Sequence, residues 1–219
     1  MKTSLLALSL ILMISCKKET RPDVQKTDVS EDGISMKNNR RTASDDAIKS
    51  VEDIKKEYTE LSSLLASKKL DSSSFTYFCN DREGEVVLYK QNDKIMMVKD
   101  FYSEHSHFSS STQYFIKNGQ VFFIFQDETL WNFDGGTPEK PETKDDITEK
   151  RMYILNNKIV QCLEKTYSVY SKGNNQDPGK MASRETQCDI SGLMKNYQAI
   201  IRNKDKKARP AACKNKTGS

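Results

Sequence analysis

The sequence predicts an α+β fold: an antiparallel β-meander of three or more hairpins, covered by an N-terminal amphipathic helix and a C-terminal helix. Three observations predict it. Residues 88–98, 115–125 and 153–163 share one plan, an apolar strand, a two-residue turn and a second apolar strand. Apolar residues recur every three or four positions from Ile48 to Leu65. Both faces of the predicted hairpins are apolar, so neither can be left to water as in a one-sided sheet.

The helix comes first in the chain. Ile48, Val51, Ile54, Tyr58, Leu61, Leu64 and Leu65 fall on one face of a helix over about residues 45–68. Ser44 is placed to cap its start, and Asp45 and Asp46 suit the positive end of the helix dipole. Lys68 and Lys69 suit the other end. An apolar face of this length covers a sheet or pairs with a partner helix.

The hairpin turns are Asn92-Asp93, Asn118-Gly119 and Asn156-Asn157. A type I′ turn needs positive φ at both central residues, which Asn, Asp and Gly tolerate best. The turns are spaced about 26 and then 38 residues apart, so this is a meander and not a solenoid. Regular pairing puts Tyr114 opposite Phe123 and Ile116 opposite Val121. That face also takes Leu88, Ile95, Met97, Met152, Ile154, Ile159 and Leu163. The other face takes Tyr89, Met96, Val98, Phe115, Phe122, Ile124, Tyr153, Leu155 and Val160. Burying one more aromatic side chain is worth about 1.5–3 kcal/mol, so both faces demand cover.

That cover comes from a helix on each side, from closure into a barrel, or from a second copy of the chain. Leu193, Met194, Tyr197, Ile200 and Ile201 equip residues 184–203 as the second helix. FTYFC (75–79) and TLWNF (129–133) read as further strands, with Trp131 packed in the core or at an edge. The segment DGGTPEKPETKDDIT after them is rich in Gly, Pro and charge and reads as a loop.

Upstream of the helix the chain has the parts of an export signal. Lys2 is a basic start, Leu5 to Ile14 form an apolar run too short to span a bilayer, and Ser15 precedes Cys16. The tetrad Met13-Ile14-Ser15-Cys16 resembles the lipobox of bacterial lipoproteins. The resemblance implies cleavage before Cys16, acylation of its thiol and of the new amino terminus, and stable anchoring by several acyl chains. Lys17 in place of Asp after the cysteine implies the outer membrane, on its periplasmic or cell-surface face. The resulting organisation is a signal peptide over 1–15, a flexible tether over 16–43, one globular domain over 44–203 and a basic disordered tail over 204–219.

The aromatic strands, Asn-led turns and cysteines over about residues 75–165 also resemble uncharacterised bacterial lipoproteins of similar size. A likeness to small β lipoproteins that inhibit host lysozymes supplies an alternative. Both are likenesses of fold and carry little about activity.

The 219 residues are 30% charged and 36% hydrophobic, with mean hydropathy −0.74 and a formal net charge of +4. That balance gives no case for nucleic acid. Lipid on Cys16 is the expected membrane attachment.

Four further cysteines, Cys79, Cys162, Cys188 and Cys213, fall in an oxidising compartment after export and predict two disulfides. Three connectivities are open. The preferred pairing is Cys79–Cys162 and Cys188–Cys213. None of the spacings matches a zinc pattern, so no metal is expected.

Chemistry is otherwise sparse. The chain has no GxSxG, HExxH, Walker loop or dinucleotide glycine pattern, and no cofactor is expected. His105 and His107, beside Glu104, read as a solvated loop between hairpins. Asp145, Asp146 and Glu149 read as soluble loop acids. The expected function is therefore a lipid-anchored, non-catalytic binding or accessory module with a protein partner in the envelope; a homodimer is compatible with it. The alternative is an inhibitor of a secreted or host hydrolase, presenting 134–147 or 101–112 as a stiff loop.

Overall fold

The three asparagine turns organise the sheet. φ is 49° and 61° at Asn92 and Asp93, 52° and 78° at Asn118 and Gly119, and 51° and 60° at Asn156 and Asn157. Positive φ at both positions matches the right-handed twist of the flanking strands. The computed structural model describes residues 47–79 and 81–205. The signal peptide, Cys16, the tether, Ser44 and residues 206–219 with Cys213 lie outside the described residues.

In chain order the elements are α1 (Val51–Ala66), β1 (Asp71–Cys79), β2 (Arg82–Gln91), β3 (Lys94–Glu104), β4 (Phe108–Lys117), β5 (Gln120–Thr137), β6 (Lys140–Leu155), β7 (Lys158–Tyr170), β8 (Arg184–Glu185) and α2 (Ser191–Asn203). The strands form one eight-stranded antiparallel meander in the order β1 to β8, each paired with its chain neighbours. It is an open sheet with β1 and β8 at its edges, not a closed barrel.

The register departs from the expected one at the same place in three hairpins. Lys90 faces Ile95, but Tyr89 faces Met97. Ile116 faces Val121, but Phe115 faces Phe123. Ile154 faces Ile159, but Tyr153 faces Gln161. Each second strand holds one extra residue, namely Met96, Phe122 or Val160. A bulge of this kind moves every later side chain to the opposite face. Tyr114 therefore pairs with Ile124 and not with Phe123. Val98 and Ile124 join one core, while Met97, Phe123 and Leu163 join the other.

α1 begins at Val51, six residues later than the spacing predicts. Ser50 is its cap, with Oγ accepting from the Asp53 N–H at 3.1 Å, and Asp53 accepts in turn from the Lys49 N–H at 2.9 Å. Ile54 and Leu61 pack with Met97, Phe115, Phe122, Phe123 and Tyr153. The Tyr58 ring meets Phe115 and Phe123 edge-on at 5.0 and 5.1 Å. Lys117 binds Glu57 at 2.6 Å and ties helix to sheet. Lys68 and Lys69 fall beyond the helix.

α2 lies on the opposite face. Leu193, Met194, Tyr197, Ile200 and Ile201 pack against Val98, Tyr114, Ile116 and Ile124. The helix is shorter than expected because Arg184 and Glu185 pair with Glu164 and Leu163 as β8.

The segment 134–148 is not a loop. β5 and β6 continue through it, with the turn at Pro138 and Glu139. An extra residue between Phe133 and Gly135 absorbs the glycine pair, and Pro141 sits opposite Gly136. Residues 101–112 are likewise strands joined by a turn at 105–107.

Candidate functional site: a polar groove under α2

Away from the asparagine turns, the face under α2 changes character. Val98, Tyr114 and Ile124 are apolar; the next residues on the same face are Asp100, Thr112 and Gln126, followed by Tyr102 and Ser110. Where this polar part meets the first turns of α2, a groove of about 540 Å³ opens.

Asp100 is its centre. The residue is 4% exposed. Oδ1 accepts from the Tyr77 hydroxyl at 2.9 Å, and Oδ2 accepts from Asn196 Nδ2 at 2.6 Å. No cation pairs with it among the described residues. Burial pushes its carboxyl above the ordinary value, and the two hydrogen bonds pull back only in part.

Tyr77 reaches Asp100 because its cross-strand neighbour is Gly84. A methyl group at Gly84 would overlap the Tyr77 ring, so only glycine lets the ring lie across β2. Burial, with the nearby Asp100 charge, pushes the Tyr77 phenol well up.

The helix is placed by three ties. Asn196 bonds Asp100, and the Tyr114 hydroxyl donates to the Leu193 carbonyl at 3.1 Å. The third is a disulfide between Cys162 in β7 and Cys188, three residues before α2, with Cα atoms 6.1 Å apart. The bond replaces both preferred pairings, Cys79 with Cys162 and Cys188 with Cys213. In β7, Cys162 turns toward α2 because the bulge reversed the strand's faces. Cys79 is buried and disulfide-bonded, and its partner is neither Cys162 nor Cys188.

Two groove atoms are buried without a hydrogen-bond partner: Ser110 Oγ and Asn196 Oδ1. Leaving a buried polar atom unpaired costs about 1–3 kcal/mol. Arg82, Lys195 and Arg202 also line the groove. Arg82 is engaged, with Nε 2.9 Å from Glu104 Oε2 and its guanidinium 4.7 Å from the Tyr102 ring centre. Lys195 and Arg202 make no salt bridge among the described residues.

The other residues singled out from sequence are not brought together. His105 sits in the 105–107 turn with positive φ, 3.9 Å from Asp81. The His107 ring packs 4.9 Å from Trp131, which in turn meets Phe133 at 4.8 Å. Asp146 accepts from Asn132 at 3.0 Å and from Ser168 at 2.5 Å. Glu149, on the other face of β6, is held by Lys165 at 3.1 Å, Arg151 at 2.9 Å and the Tyr167 hydroxyl at 2.9 Å. Among the described residues no group of three or more His, Cys, Asp or Glu is placed to hold a metal. No described helix is long and apolar enough to cross a membrane.

Sequence reasoning missed Asp100, Tyr77 and Asn196. One signal was present: Asp100 and Tyr102, then Ser110 and Thr112, are polar residues two apart within strand-like runs. No protein-family model, no curated protein and no solved structure matches the chain.

Proposed function

We propose that the chain is a lipid-anchored outer-membrane protein that acts as a non-catalytic binding or accessory module. Acylated Cys16 is its anchor, and the groove under α2 is its binding surface. The observation that carries the reading is the hydrogen bonding around Asp100. A buried carboxylate fixed by two neutral donors, beside unpartnered polar atoms, is an arrangement that holds a ligand. The helix-covered meander supplies a stiff frame for it.

Cross-linking of the tagged full chain in intact cells, with native mass spectrometry of the detergent extract, tests the reading. One molecule or one protein retained at near-equal stoichiometry, and displaced by a substitution in the groove, supports it. Turnover of the retained molecule by the purified chain overturns it. The intact mass should show diacylglyceryl and N-acyl groups on Cys16 as the first residue. A free amino terminus elsewhere removes the anchor.

The tip of the β5–β6 hairpin favours a second reading, inhibition of a secreted hydrolase. Beyond Trp131, whose N–H donates to the His107 carbonyl, β5 pairs only with β6, and Phe133 is 66% exposed there. Adding the full chain to a panel of lysozymes should then lower their activity, and shortening the hairpin by residues 135–141 should restore it.

A further inference from the structure

The groove under α2 carries two opposite demands. At its floor, Asp100 is a buried carboxylate with no cation, and the adjacent Asn196 Oδ1 is an acceptor with no donor. Both call for a group that donates hydrogen bonds, and a positive one best matches a desolvated carboxylate. Ser110 Oγ, also unpartnered, can accept from the same ligand. Around this floor, Lys195 and Arg202 line the groove without salt bridges and call for a negative group.

A simple anion meets the basic lining but faces the Asp100 charge. A simple amine meets Asp100 but is repelled by Lys195 and Arg202. Neither satisfies both.

Resting on the proposed binding role of this groove, we propose that its ligand is a small zwitterion of the amino-acid class. The ligand's primary ammonium donates to Asp100 and to Asn196 Oδ1. Its carboxylate pairs with Lys195 and Arg202. Tyr77 and Tyr102 also line the groove, Tyr102 with its ring already under the Arg82 guanidinium. A volume of about 540 Å³ leaves room for a side chain beyond the two charged groups.

The test uses the full chain in detergent and each of the twenty common L-amino acids, read by thermal shift and calorimetry. At least one amino acid should raise the melting temperature and bind saturably. Its N-acetyl derivative, which lacks the ammonium, should bind about tenfold more weakly or worse. Its carboxamide, which lacks the carboxylate, should also weaken. Asp100→Asn should abolish the difference between the amino acid and its N-acetyl form.

Lys195 is exposed, so Lys195→Ala gives a variant that does not depend on core folding. It should weaken the amino acid but leave the carboxamide unchanged. Equal binding of the N-acetyl form, or no shift with any amino acid at millimolar concentration, overturns the proposal. A retained ligand of another class also overturns it and leaves the binding role standing. Chemical conversion of the bound amino acid overturns the binding role and leaves the ligand class standing.

Discussion

Asn196 donates its side-chain amide to Asp100 at 2.6 Å, across 96 residues of chain. This bond joins α2 to β3 at a carboxylate that has no cation. Its charge is therefore a cost to the fold wherever it is ionised, and stability must depend on pH.

The sign follows from burial. The Asp100 carboxyl is raised above its ordinary value of 3.8, so the folded chain holds the proton more tightly than the unfolded one. The contribution of Asp100 to stability is then fullest below about pH 3.8 and is lost as pH rises through the folded value. Asp100→Asn removes this dependence. Urea unfolding of the full chain at several pH values should show the variant gaining on the native protein as pH rises from about 4. A constant difference across pH would contradict the assignment.

Gly84 and Tyr77 form a coupled pair. Gly→Ala within a strand ordinarily gains stability by about 0.5–1 kcal/mol. Here the added methyl meets the Tyr77 ring, and overpacking should cost about 1–3 kcal/mol instead. In a Tyr77→Ala background the penalty should vanish. The double-mutant cycle reads that coupling directly.

Phe115 and Phe123 anchor the sheet under α1. Each is buried, and Phe→Ala at either should cost about 3–5 kcal/mol. Tyr58 touches both rings but is 38% exposed, so Tyr58→Ala should cost about 1 kcal/mol. Denaturant midpoints at unchanged slope should rank the three in that order.

The disulfide makes a simple check of connectivity. A non-reduced digest should yield a peptide joining Cys162 to Cys188. Replacing both with serine should cost about 2–4 kcal/mol, as expected for a cross-link over 26 residues. A peptide joining Cys79 to Cys162 would overturn the arrangement.

Local chemistry made much of the sheet legible in the sequence. Asn118-Gly119 announces its turn because few other pairs accept two positive φ values. The bulges were not legible, since Met96, Phe122 and Val160 are apolar like their neighbours and suit either face. Gly135, Gly136 and Pro141 read as loop residues. They lie instead in the β5–β6 ladder, where Gly135 and Gly136 take positive φ (123° and 83°) beside a one-residue irregularity. The groove was hidden for a similar reason. Asp100 and Ser110 looked like the ends of a polar connection until pairing set them on one face. Asn196 gains its meaning only from a helix packed 96 residues away.

The nearest-neighbour order of the meander also shapes how the chain folds. Each strand pairs with the one beside it in sequence, so each hairpin closes a short loop and can form early. The Asn196–Asp100 contact instead closes one of the longest loops in the molecule. Loop length predicts that docking of α2 follows formation of the hairpins, and the groove exists only once the helix has docked. The groove is thus a product of tertiary packing and not of any one hairpin.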